Sequence, residues 1–146
     1  MIFRNFDLNK YNSDIKVQFK IDENDRVLLI DISGNYRDGS EGNVDADFIF
    51  AKISGYFLVV EPVIVVIDIS KLTYTWGNSF LKILNFVKLI GRDEYEKNIE
   101  QLVIISEENK PYIYSLIRYE NEDLPHNFFL DLRIALDEAE SRLDYI

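Results

Sequence analysis

The sequence contains no cysteine and a single histidine, His126. The first absence excludes a disulfide scaffold, a thiol nucleophile, an iron–sulfur cluster and zinc held by thiolates; the second excludes metal sites built from several imidazoles. Proline is scarce, at three residues, and glycine reaches only six, so there is no Pro/Gly-rich linker or low-complexity tract. No apolar stretch attains the roughly 18 residues needed to cross a bilayer. The longest, Tyr56 to Ile67, is broken by Glu61 and Pro62. Met1 to Lys10 lacks the apolar centre of a secretion signal. Basic residues are also few. Sixteen Lys and Arg stand against 26 Asp and Glu, a net charge of −10, and a field of that sign repels phosphate backbones and anionic membranes. The composition therefore points to a cytoplasmic protein with no nucleic-acid or membrane partner, suited to solubility or to docking on a basic protein.

What is present fits a globular chain. Of 146 residues, 47% are hydrophobic and 29% charged, enough apolar material for a full core without covalent staples. No internal repeat interrupts it, and one continuous domain, residues 1–146, is the expectation. Ile15, Val17, Phe19 and Ile21 alternate with polar residues, the period of a half-buried strand. Turn residues Asp22 to Asp25 lead into a second strand, Val27 to Ile32, so the chain is expected to open with an antiparallel hairpin. Ser33 to Asn43 reads as a loop on composition. Asn43 is a candidate cap for a helix striped by Ala46, Ile49, Phe50, Ile53 and Phe57, with Asp45 and Asp47 favouring its positive end.

Val63 to Ile67 is five β-branched residues in succession, the mark of a strand covered on both faces. A loop, Ser70 to Asn78, precedes a second helix striped by Phe80, Ile83, Leu84 and Val87. Leu102 to Ile105 is another buried strand, and Asn109 to Arg118 a short helix with Pro111 near its start. Phe128 to Leu130 reads as a last strand, and Leu132, Ala135, Leu136, Ala139 and Leu143 stripe a closing helix. The fold class is α/β: a mostly parallel sheet opened by an antiparallel hairpin, with about four helices.

The run Val65-Val66-Ile67-Asp68-Ile69-Ser70-Lys71-Leu72-Thr73-Tyr74-Thr75-Trp76-Gly77-Asn78-Ser79-Phe80 resembles the central signature of STAS domains, the fold of bacterial anti-sigma-factor antagonists. There a buried strand ends in a D-L-S-G-like turn, continues through V-T-F-I-D-S-S-G and enters a helix. Asp68, Ser70, Thr73 and Tyr74 fall in register with it, and the element order agrees from about Ile15 to Leu143. The resemblance implies a non-enzymatic regulatory module whose partner is a protein such as a kinase or a sigma regulator. It also implies a switch, a serine of D-S-S-G phosphorylated by that kinase. Residue by residue, the motif becomes Trp76, Gly77, Asn78 and Ser79, so the phosphoacceptor position holds an amide. Either the chain is an unswitched relative, or Ser79 has taken the role one residue later.

The expected partner-binding residues are Trp76, Asn78, Ser79 and Lys82. Asn78 is also a good helix cap. Trp76 beside a glycine in a loop is either an interface anchor or a ring folded onto the core. Other chemistries find weaker support. Gly77-Asn78-Ser79-Phe80-Leu81 partly matches a nucleophile elbow, with Leu81 where the second glycine belongs and His126, oriented by Asp131 or Asp68, as its only base. A serine hydrolase using Ser79 is thus one alternative, and an acidic immunity-type protein masking a basic partner is another. A spiral, crotonase-like enzyme would need an oxyanion loop, for which no Gly-Gly pair exists. Asp38, Ser40 and Gly42 begin like a calcium loop, but Asn43 and Ile49 stand where glycine and glutamate are required. Gly34 and Gly39 have phosphate-loop spacing, with Ser40 in place of the lysine. Carboxylate pairs such as Glu107-Glu108, Glu120 with Glu122-Asp123, and Asp137-Glu138 read as solvated faces. Tyr36, Tyr112, Tyr114 and Tyr119 are candidates for a binding surface or for the edge of the core. No cofactor is expected, and a homo-oligomer is compatible with the sequence.

Overall fold

The computed structural model describes residues 1–8, 13–90 and 99–145. Strands β1 (Lys16–Ile21) and β2 (Val27–Asn35) form the antiparallel hairpin, closed by Asp22, whose carboxylate accepts from the Arg26 and Val27 amides. Helix α1 (Gly42–Val60) returns the chain to β3 (Ile64–Asp68), which pairs parallel to β2. A two-residue strand, β4 (Leu72–Thr73), runs beside the end of β2 and precedes α2 (Leu81–Leu84) and α3 (Phe86–Ile90). Then come β5 (Glu100–Ile104), α4 (Lys110–Ile117), β6 (Phe128–Phe129) and α5 (Leu132–Leu143). The sheet order is β1-β2-β3-β5-β6, with β4 alongside β2. This is the expected α/β architecture, a mostly parallel sheet opened by a hairpin.

Both sheet faces are covered, which is why all five β3 residues are buried. One face places Leu28, Ile30, Ile32, Val65 and Ile67 against Ile49 and Ile53 of α1, Ile83 of α2, Phe86 of α3 and Ile113 of α4. The other packs Ile64, Val66, Leu102 and Ile104 against Ala135 and Ala139 of α5. Burying a side chain such as Ile67 stabilises the fold by about 1.5–3 kcal/mol relative to leaving it exposed.

Three expectations change. Strand β2 does not stop at Ile32 but continues to Asn35, because the Gly34 amide bonds Lys71 and β4 adds to that extension. Gly34 has φ +111, and a Cβ there would fall 2.8 Å from the Asp14 carbonyl oxygen, so glycine is required. Helix α1 starts at Gly42 after a 3-10 turn, without a side-chain cap, and Asn43 is not its cap. The second expected helix is divided at Asn85. The cause is Gln101 of β5, whose amide donates to the Leu84 carbonyl at 2.6 Å and accepts from the Val87 amide at 3.2 Å. A side chain inserted into the helical ladder breaks it there.

Candidate functional site

Two loops meet above the carboxyl ends of β2 and β3, and each holds the other. The Tyr36 amide donates to the Thr73 carbonyl and the Gly39 amide to the Trp76 carbonyl, while the Thr75 hydroxyl bonds the Asp38 carboxylate. Glycine is needed at both crossings. Gly39 has φ +60, and a Cβ on it would come 2.6 Å from Cη2 of Trp76, so the indole lies directly on that backbone. Gly77 has φ +140 and faces the Gly39 carbonyl. Below the loops, Tyr36, Tyr74 and Phe80 form a buried aromatic trio with centroids 4.9–5.3 Å apart. The Tyr74 hydroxyl donates to the Gly77 carbonyl at 3.0 Å, and burial pushes its pKa up to about 12. Burial raises Tyr36 further, aided by Tyr74, Asp45 and Asp47 nearby.

The first loop is fixed on its other side by Asp45, fully buried on α1. Its carboxylate accepts from the Arg37 guanidinium at 2.9 and 3.1 Å, from the Arg37 amide at 2.9 Å and from the Ser13 hydroxyl at 2.6 Å. Burial alone would raise the carboxyl pKa, but the hydrogen bonds from Arg37 and Ser13 outweigh it and hold Asp45 below the usual range. Asn109, also buried, ties in the far side: its amide donates to the Ile69 and Leu72 carbonyls at 2.8 and 3.1 Å. The turn after β3 is thereby fastened to the start of α4.

Between this tip and α4 lies an open groove of about 630 Å³. Trp76, Leu81, Tyr112 and Leu116 supply its apolar walls; Asn78, Asn85 and Ser115 supply amides and a hydroxyl; Arg118 is the one charge among the lining residues. Trp76 is 61% exposed, which makes it a rim residue and not part of the core.

The four sequence-derived residues divide into two pairs. Trp76 and Asn78 line the groove. Ser79 and Lys82 instead face α1, where the Ser79 hydroxyl bonds the Asn43 amide oxygen and the Lys82 ammonium bonds Asp47, 5.7 Å from the Phe50 ring centre. Asn78 makes no capping hydrogen bond; Gly77 occupies the cap position of the 3-10 turn at 78–80. His126 is exposed and precedes β6, at the edge of the sheet opposite β1, and neither it nor Ser79 lines the groove. Among the described residues, no group of three or more acidic or imidazole side chains is placed to hold a metal ion.

Of the candidate tyrosines, Tyr112 lines the groove and Tyr36 is in the core, whereas Tyr114 and Tyr119 pack edge to face and both bond Asp123. Arg118 escaped the sequence reading, although a basic residue closing a short helix in so acidic a chain is a signal that could have found it. In the sequence Asn109 reads only as a helix start, and nothing local reveals the two carbonyls it meets.

No family model matches the sequence, and no curated protein does. Solved structures do. An anti-sigma factor antagonist from Mycobacterium paratuberculosis superposes with a TM-score of 0.61 at 18% identity, covering 87% of this chain and 95% of that one. The unphosphorylated form of the anti-sigma factor antagonist SpoIIAA gives 0.54 at 11% identity, covering 86% of this chain and 97% of its own. Identity this low speaks to architecture, and the fold of this chain is STAS-like.

Proposed function

We propose that this domain is a non-enzymatic regulatory module that works by protein contact, with the partner seated on Trp76 and the groove beside it. The observation that carries the reading is the Trp76 indole, large, apolar and exposed, yet held in place by the Gly39 backbone and two cross-loop hydrogen bonds. A ring fixed before binding loses little entropy on contact, and tryptophan is enriched among residues that anchor interfaces. Likeness to two anti-sigma factor antagonists supports a partner of the regulatory class, a kinase or a sigma regulator, met in the cytoplasm. Among the described residues, no helix is long and apolar enough to cross a membrane.

The groove operates without the phosphoserine of the family motif, since Asn78 carries no hydroxyl. Ser79 is the remaining candidate phosphosite, and its hydroxyl is bonded to Asn43. The charge of −10 favours a second reading, the masking of a basic partner. Salt separates the two: a charge-masking complex weakens steeply as ionic strength rises, whereas one anchored on Trp76 does not. Binding of the purified partner to Trp76→Ala tests the main reading, which expects a large loss of affinity with the fold intact. Undiminished binding refutes it.

A further inference from the structure

We propose, on the reading of the Trp76 groove as the docking site, that it takes an acidic segment of the partner: a bulky apolar side chain seated against Trp76, with a neighbouring carboxylate on the Arg118 guanidinium. No acidic residue lines the groove, and Arg118 is its one charge. In a chain with 26 acidic side chains, that guanidinium has no ion pair or hydrogen bond among the described residues. Arg37 and Arg142, by contrast, are each held by carboxylates of the chain itself. The polar neighbours of Arg118 in the groove are free as well. The side chains of Asn78, Asn85 and Ser115 make no hydrogen bond among the described residues.

The backbone adds an independent sign. Arg118 closes α4 at φ 58 and ψ 43, in the left-handed region. Glycine or asparagine is the ordinary occupant there, because a Cβ crowds the backbone. A cation to complement the α4 dipole would serve equally in the last turn, where there is none. Local preference therefore argues against arginine at 118, and the role of its side chain in the groove accounts for it.

Charge selects the occupant. A guanidinium donates and never accepts, and its planar fork matches a carboxylate in two parallel hydrogen bonds. The field of the whole chain, at −10, repels acidic segments from the rest of the surface. Such a segment stays only where a local cation receives its charge and apolar walls bury its neighbour. A basic segment meets Arg118 as a like charge, and a wholly apolar one leaves the guanidinium covered and unpaired.

NMR titration of the full chain with the blocked dipeptide N-acetyl-Phe-Asp-amide tests this, with N-acetyl-Phe-Asn-amide and inorganic phosphate as comparisons. The Trp76 indole N–H, the only indole in the chain, reports occupancy. The aspartyl peptide is expected to shift it saturably and to bind at least about threefold more tightly than the asparaginyl peptide, the scale of a partly exposed ion pair. Arg118→Gln should equalise the two peptides, whereas Arg118→Lys should keep a reduced preference. The side chain is exposed, so both variants remain folded by circular dichroism. Equal affinities in the wild type overturn the proposal and leave the groove as the docking site. A preference that survives Arg118→Gln overturns it too, as does phosphate binding as tightly as the aspartyl peptide. If neither peptide gives a saturable shift the proposal also falls, and the comparison of Trp76→Ala with the wild type on the purified partner then decides the docking site by itself.

Discussion

The indole of Trp76 rests on the backbone of Gly39, so close that a Cβ at residue 39 would fall 2.6 Å from Cη2 of the ring. Gly39→Ala therefore forces the ring away, and it also places alanine at φ +60, which costs about 1–2 kcal/mol. Trp76 is the only tryptophan, so its fluorescence reports this contact alone. Gly39→Ala is expected to increase iodide quenching of that emission and to lower stability. Trp76→Ala, by contrast, removes a largely exposed ring and is expected to lower stability by less than about 1 kcal/mol in urea unfolding.

Asp45 makes the protein acid-sensitive. Its folded pKa is held below the unfolded value, so the ion pair with Arg37 contributes stability at pH above about 4 and loses it as pH falls through the folded value. Asp45→Ala removes the carboxylate of the Arg37–Asp45 ion pair and is expected to cost about 3 kcal/mol at pH 7, the low end for a buried pair because Arg37 is partly exposed. Urea unfolding of both proteins from pH 7 downward checks the sign: the gap between them should narrow below about pH 4.

The two buried tyrosines should respond oppositely to loss of their hydroxyls. Tyr74 donates to the Gly77 carbonyl, and Tyr74→Phe is expected to cost about 1 kcal/mol. The Tyr36 hydroxyl is buried without a hydrogen-bond partner among the described residues, and Tyr36→Phe is expected to raise stability by about 1 kcal/mol. Titration of phenolate absorbance should show both ionising after the exposed tyrosines. Because their folded pKa values are raised, their contribution is intact below about pH 10 and disappears as pH climbs through the folded values.

Gln101→Leu withdraws the amide that divides the helix and leaves the Leu84 carbonyl and the Val87 amide without that partner at the break. The expected cost is about 1–3 kcal/mol, read by thermal or urea unfolding. Stability equal to that of the wild type would remove Gln101 as the cause of the break.

That break also shows where sequence reading stops. The stripe of Phe80, Ile83, Leu84 and Val87 is correct as periodicity, but the group that divides the helix sits on β5 and is invisible to any local window. Asn43 and Asp45 teach the same lesson. Both have the composition of a helix start, yet Asn43 receives a hydrogen bond from Ser79 and Asp45 is consumed by Arg37 and Ser13. The Val63–Ile67 run, the opening hairpin and the closing helix were legible because one element's own pattern determines its burial. Trp76 and Asn78 were legible through the turn after β3, while Tyr112 and Arg118 enter the groove only because α4 packs across from that turn.

The most direct test of the central claim is a binding comparison made against partner recovered from the source cell by the wild-type domain. Affinities would be measured for the wild type, for Trp76→Ala, and for Ile134→Ala on the far face of the sheet. Trp76→Ala is expected to bind at least about tenfold more weakly while losing less than about 1 kcal/mol of stability, and Ile134→Ala to bind as the wild type does. Equal affinity for all three would contradict the claim, as would loss of binding at Trp76→Ala that merely tracks loss of the folded state.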